Sequence, residues 1–340
     1  MSSRTTVLSL VSALAMGASL LGAAPAFADA SGALYVTQRD PAASANVASF
    51  TIGAFDGSLS SPIFAGSGGA ASFGIAVTPD GAHVYVTNDN GGSSISQYSV
   101  DPSTGALTPL TPATVATSGV GGAEPEDVAV DPSGRWVYVA NPAAGSVSQL
   151  RIDPATGALT MVSEFQSELI SFPTGVALSP DGHSLYVADF GAGNIVEFDV
   201  DANTGSLIPK SDAVAPLPKP FGGSMPEPRR LVTATVGGSD YLYVSDYANA
   251  QVDEFTIGSG TGELSAGAGV ASDSNPTGLA VDTASTPASL YVAAEGVGAV
   301  DEYDIDSTSG TLAPKASPSI PAGSGPDGVA MAPDGQELYV

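Results

Sequence analysis

Residues 173–210 read PTGVALSPDGHSLYVADFGAGNIVEFDVDANTGSLIPK. The stretch divides into four short runs. Pro180-Asp181-Gly182 separates a first run, a (GVAL), from a second, b (LYV). Asp201-x-x-Thr204-Gly205 separates a third, c, from a fourth, d. In both turns Gly supplies a positive φ while Asp or Pro starts the turn. Runs a and b are nearly continuously apolar, as expected of strands covered on both faces, and no helical period is sustained.

The same unit returns from Phe73 (FGIAVTPDGAHVYVTNDNGGSSISQYSVDPSTGALTPL) and from Pro276 (PTGLAVDTASTPASLYVAAEGVGAVDEYDIDSTSGTLAPK). Its Tyr-Val anchor recurs at Tyr35, Tyr85, Tyr138, Tyr186, Tyr243, Tyr291 and Tyr339, at intervals of 50, 53, 48, 57, 48 and 48 residues. Four-stranded units of this length, repeated, predict an all-β propeller of antiparallel blades. There are seven b strands but six each of a, c and d. Six blades would leave a spare apolar b strand with an open edge, which such folds avoid. The expectation is therefore seven blades, the last incomplete and the first without its inner strand. On strand c, the run Asp301, Glu302, Asp304, Asp306 reads as charges guarding an outer edge.

Residues 1–28 read as an export signal: Arg4, an apolar run from Val7 to Leu21, and Ala26-Phe27-Ala28 as cleavage site. The run is interrupted by Ser and Gly and is short for a span of roughly 20 residues. Residues 29–340 are expected to form one propeller domain, secreted or periplasmic, with no membrane span, as a monomer. Gly and Pro together make up about a fifth of the 340 residues, but 43% hydrophobic content excludes a disordered chain. Nine Lys+Arg stand against 35 Asp+Glu, a net −26 that opposes nucleic acid and anionic lipid. With no Cys, disulfides and thiolate chemistry are excluded.

The segments Tyr85-Val86-Thr87-Asn88, Tyr138-Val139-Ala140-Asn141 and Tyr186-Val187-Ala188-Asp189 carry a family resemblance. So do the Pro-Asp-Gly turns at Pro79 and Pro180 and the Asp-x-x-Thr-Gly-x-Leu hairpins at Asp101, Asp153 and Asp201. They resemble the lactonase family of seven-bladed propellers, the 6-phosphogluconolactonase-like group with its YVTN-type repeat, over about residues 33–340. The resemblance implies a Pro-Arg-His segment opening one a strand. Here that segment is Pro228-Arg229-Arg230, so Arg229 matches the arginine and Arg230 stands at the histidine. Asp246 lies where the family places an acid.

In a propeller the a–b and c–d hairpins share one face, and the irregular d–a and b–c loops share the other, where binding groups usually sit. Both histidines, His83 and His183, follow Pro-Asp-Gly turns and so belong to the regular face as solvated residues. The irregular face receives Arg229, Arg230, Asp246 and the cluster Glu124, Glu126, Asp127. A guanidinium pair there can hold a carboxylate or a lactone carbonyl, or it can pair with Glu227 or Asp246 merely to fix the loop. The carboxylate cluster can hold Ca²⁺ through oxygen ligands, supply a general base, or simply be a solvated loop.

Two functions follow. One is a hydrolase of an unphosphorylated lactone or similar cyclic ester, Arg229 and Arg230 stabilising the oxyanion while Asp246 or Glu126 activates water. It needs no cofactor, and its partner is a small lactone or carbohydrate-like ligand. The other is a non-catalytic extracellular binding or scaffold propeller, favoured by the missing histidine and by a shortage of basic and aromatic groups at the loop face.

Overall fold

The structure, a computed structural model of the chain, describes residues 6–8, 18–24, 32–38, 46–53, 57–66, 69, 71–89, 93–119, 121–218, 223–332 and 335–340. Every regular element among them is a β-strand, and no helix there is long and apolar enough to cross a membrane. The export reading falls largely outside the described residues.

The chain packs as two compact units, Met1–Gln166 with Ala330–Tyr339, and Ser167–Val329 with Val340. The first holds three sheets of four antiparallel strands in chain order. They run Ala18–Ala24 to Ile63–Gly66, Ser72–Val77 to Leu107–Ala116, and Asp127–Val130 to Leu159–Gln166. A smaller sheet pairs Ala330–Met331 antiparallel and Thr6–Leu8 parallel with Glu337–Tyr339. The second unit holds three more such blades, Pro173–Leu178 to Leu207–Pro216, Pro228–Val236 to Leu264–Ala266, and Pro276–Asp282 to Leu312–Pro321.

Among the described residues there are six four-stranded blades, which corrects the expected seven with the last incomplete. There the seventh Tyr-Val anchor has two short antiparallel strands of its own. The first blade, expected to lack an inner strand, has one: Ala18–Ala24 pairs with Gly32–Gln38. Among the described residues 28 strands stand against the 25 expected from the repeat, because Thr6–Leu8 and Ala18–Ala24 are added and the fourth strand of the fifth blade is divided between Leu264–Ala266 and Val270–Ala271.

The structure gives a physical reason for the repeat. The b strands are buried over most of their length, wholly so in Ser184–Asp189 and Trp136–Asn141. Apolar clusters fill the seams between neighbouring blades within each unit. One holds Tyr35, Val47, Val84, Val86 and Tyr98; another holds Tyr186, Ile195, Leu242, Val244 and Phe255. The anchor tyrosine crosses its seam. Tyr85 donates its hydroxyl to the Gly157 carbonyl, Tyr186 to Gly262, Tyr243 to Gly310 and Tyr339 to Gly57, at 2.7–2.9 Å. Each acceptor glycine closes the c–d turn of another blade, and Gly157, Gly262, Gly310 and Gly57 all have positive φ. Burial pushes these tyrosine hydroxyls above their ordinary range wherever a shift is seen, as at Tyr85 and Tyr186. The Tyr-Val anchor and the turn glycine therefore recur together because one binds the other.

Strand c is interior, with d outside it, so Asp301 and Glu302 are buried rather than guarding an edge, and Asp306 belongs to the c–d turn. The chemistry of this strand differs between the two units.

Candidate functional site

Pro228 is buried and opens the inner strand of the fifth blade, opposite Asp246. The register slips between Pro228 and Leu231, so Arg229 and Arg230 form a bulge, the usual device for re-aiming side chains at a strand end. The same slip occurs after Pro173 and Pro276, where the third residue is Gly175 and Gly278. A Cβ on Gly175 would lie 2.6 Å from the Arg229 carbonyl oxygen, and on Gly278 2.5 Å from that of Asp327. Arg230 occupies the glycine place in the fifth blade.

The bulge sends the two guanidinium groups apart. Arg230 is buried and donates through Nη1 to the Thr174 carbonyl of the fourth blade at 2.7 Å. Thr174 returns a bond from its hydroxyl to the Pro228 carbonyl at 3.0 Å. This corrects the expectation that Arg230 faces a ligand: its donor is spent inside a seam. Arg229 is half-buried on the loop face. Its guanidinium carbon lies 3.9 Å from the centroid of the Tyr247 ring and 5.8 Å from that of Phe190, within cation–π range. It is paired with no carboxylate among the described residues.

Asp246 was expected to activate water or to pair with Arg229. It is fully buried, and its carboxylate accepts the Glu227 amide at 2.9 Å and the Asn249 side chain at 2.7 Å. Asp189, at the same place in the fourth blade, accepts the amides of Ser171 and Phe172 at 2.7 and 2.8 Å. Both aspartates clamp loops, which leaves Asp246 as a positioning residue for its neighbour Tyr247. Glu126 lies in the first unit, half-buried, its amide donating to Ala140 and its carbonyl accepting Thr87. Around it Glu124 is exposed with φ 52° and Asp127 is buried. No group of three acidic or histidine side chains suited to a metal ion occurs among the described residues.

His183 is exposed and pairs with Asp181 at 3.4 Å. His83 is only half-exposed, its ring lying against Gly157 of the next blade's turn.

Side chains the sequence reading passed over complete the surroundings of Arg229. Phe172 stands 6.0 Å from Phe190, tilted 57° to it. Burial pushes the Tyr247 hydroxyl above its ordinary range, the Glu295 charge adds to that, and Arg229 opposes it. Asn275 holds φ 60°, which asparagine tolerates better than most residues, and its carbonyl accepts the Glu295 amide. The shortage of aromatic groups expected at this face is thereby corrected. Phe190, Tyr247 and Glu295 each directly follow a b strand, after Asp189, Asp246 and Ala294. Superposing the repeats and reading that one position would have found all three.

Residues 59–168 match the family described as "Lactonase, 7-bladed beta-propeller". The resemblance to the lactonase family holds. The repeating unit is the four-stranded antiparallel blade of a β-propeller. Among solved structures, a presumed 6-phosphogluconolactonase from Bacteroides uniformis is similar at 20% identity and TM-score 0.74, over 89% of this chain and 86% of that one. The periplasmic gluconolactonase of Pseudomonas aeruginosa is similar at 16% identity and TM-score 0.71, over 91% and 86%. Hydrazine synthase of Kuenenia stuttgartiensis is similar at 19% identity and TM-score 0.61, over 94% and 90%. A comparison with curated proteins gave no match. At such identities the likeness is one of fold, and the chemistry of the third neighbour shows how far function departs from it.

Proposed function

We propose that the protein is a lactone hydrolase acting outside the cytoplasm, with its reacting centre at Arg229. One observation carries the reading: a half-buried guanidinium, free of carboxylate partners among the described residues, is held by aromatic faces on the loop side of the second unit. Stacking leaves the in-plane N–H groups of an arginine available, and two of them suit a carbonyl oxygen that gains charge. Water oxygen bonds to the acyl carbon, and the ring C–O bond breaks. The ring oxygen takes a proton, and the new carboxyl releases one. Arg229 stabilises the oxyanion. Glu295, exposed and near enough for its charge to act on Tyr247, takes the proton of water in place of Asp246.

The test is acid release from a panel of unphosphorylated lactones. Arg229→Ala is expected to lower kcat/KM by the equivalent of about 2–4 kcal/mol, as for loss of an oxyanion donor. An unchanged turnover with a lowered Tm would make Arg229 a loop clamp. The burial of Arg230 and Asp246 favours a second reading, a binding propeller without turnover, which predicts ligand binding and no acid release.

A further inference from the structure

We infer that the Arg229 site takes a neutral lactone carrying a flat apolar group, an aryl-fused or alkyl-substituted ring, in preference to a polyol or an anionic sugar lactone. The inference rests on the lactone reading above and concerns the rest of the ligand.

The apolar surface is continuous with the cation. Phe172 is 36% exposed and stacks at a tilt on Phe190. The loop after Phe190 is pressed between two apolar side chains. A Cβ on Gly191 would meet Phe172 at 2.9 Å, and one on Gly193 would meet Met225 at 3.3 Å. Met225 is 53% exposed. Phe190 and Tyr247 therefore flank one guanidinium, Phe172 extends the aromatic surface from Phe190, and Met225 lies against the same loop at Gly193. Exposed large apolar side chains scattered singly need no explanation, but a contiguous set beside a polar group marks a recognition surface. Aromatic faces reward flat apolar partners through area and offset stacking.

Charge selects against anions. One guanidinium faces the ligand, and the Glu295 carboxylate is near enough for its charge to act on the same Tyr247. A phosphorylated lactone brings two negative charges to a site with a carboxylate at its border, in a chain of net −26. A polyol lactone gains nothing from the Phe172–Met225 side, where its hydroxyls would lose water without partners.

The experiment uses the full chain with dihydrocoumarin, D-glucono-δ-lactone and 6-phosphoglucono-δ-lactone as substrates. A slowly hydrolysed lactam analogue of dihydrocoumarin serves as an equilibrium ligand followed by ligand-observed NMR. The expected result is a kcat/KM for the aryl lactone at least about tenfold above the sugar lactone. Phe190→Ala should cut that ratio by about three- to tenfold, the value of one aromatic contact. Phe190→Leu, which keeps bulk and loses the flat face, should cut it too, with Tm recorded to show folding. Phe64→Ala, at an exposed phenylalanine of the first unit, should leave it unchanged. Binding of the lactam without hydrolysis of any lactone, lost in Phe190→Ala, supports the ligand class and removes the hydrolase reading. Hydrolysis that favours the sugar lactone, or a ratio indifferent to Phe190, overturns the inference and leaves the hydrolase reading standing. Absence of both hydrolysis and lactam binding overturns both.

Discussion

Strand c makes the same contact in both units with different chemistry. In the first unit Gln97, opposite the anchor Tyr85, accepts the amide of Leu159 from the next blade at 2.7 Å. In the second unit Glu197, opposite Tyr186, accepts the Leu264 amide at 2.9 Å, and Glu254, opposite Tyr243, accepts that of Leu312 at 2.7 Å. One residue away, Ser96 and Ser148 of the first unit become Asp253 and Asp301 in the second. Geometry is kept while a neutral acceptor is exchanged for an ionisable one. Burial raises Glu197 to about 7, only partly offset by the Leu264 amide and the Lys210 ammonium. Burial likewise raises Asp253 to about 7, and pushes Glu254, Asp301 and Glu302 upward. An amide accepts a backbone N–H as well as a carboxylate does and has no charge to desolvate. At these strand-c contacts the first unit has no group to titrate and the second does.

The largest effect should come from removing the acceptor altogether. Glu254→Ala orphans the buried Leu312 amide and is expected to cost about 1–3 kcal/mol. Glu254→Gln restores the arrangement seen at Gln97 and should be near neutral at pH 5. Denaturant unfolding of both variants checks this. Equal losses for Ala and Gln would mean that the contact depends on charge.

Next in size is the pH dependence of the whole chain. Glu197 and Asp253 have folded pKa values raised above their unfolded ones, so the folded state holds extra protons between about pH 4 and pH 7. Their favourable contribution is complete below the unfolded pKa and is lost as pH rises through about 7. The Tm should therefore fall from pH 5 to pH 8, and the double variant Glu197→Gln, Asp253→Asn should flatten that fall. A flat profile in the unaltered chain would show that water relieves these carboxylates. The converse variant, Gln97→Glu, should bring the same fall to a seam of the first unit, by a smaller amount because it adds one group.

How much of this was legible follows the same division. The Tyr-Val anchor recurs in every repeat and each c–d turn ends in Gly, four of the six as Thr-Gly, so the blades and the turns could be read from the chain. The blade count could not be, because two-residue strands such as Ala330–Met331 carry no periodicity. Glu302 looked like an edge charge because alternation on strand c says which side a residue takes and not what covers that side. At the site, Arg229 was legible as a rare cation beside a proline. Its partners were not, since Phe172, Phe190 and Tyr247 come from loops of two blades and meet only when those blades pack. Asp246 was misread for the opposite reason: an acid at a loop start looks reactive until the backbone amides around it are known.

The smallest effect concerns an acidic turn that both units share, and it acts on the other limb of the pH profile. Asp101 in the first unit accepts the hydroxyl of Ser103 at 2.6 Å and the amides of Ser103 and Thr104 at 2.9 Å. These bonds, the Ser103 hydroxyl first, pull its carboxyl down to about 2. Asp201 and Asp306 in the second unit are lowered by the same kind of turn. Here the folded pKa lies below the unfolded one, so the contribution is present above about pH 4 and is lost as pH falls through about 2. Each of these carboxylates is solvent-facing, so each effect is small. Asp101→Asn should lower Tm slightly at pH 7 and not at all near pH 2. Asp306→Asn should behave alike, although the seams around the two turns differ. If the Asp306 variant instead lost stability only above pH 7, the turn and the buried carboxylates of the second unit would be one coupled system, and the division between a neutral and an ionisable unit would have to be redrawn at its turns.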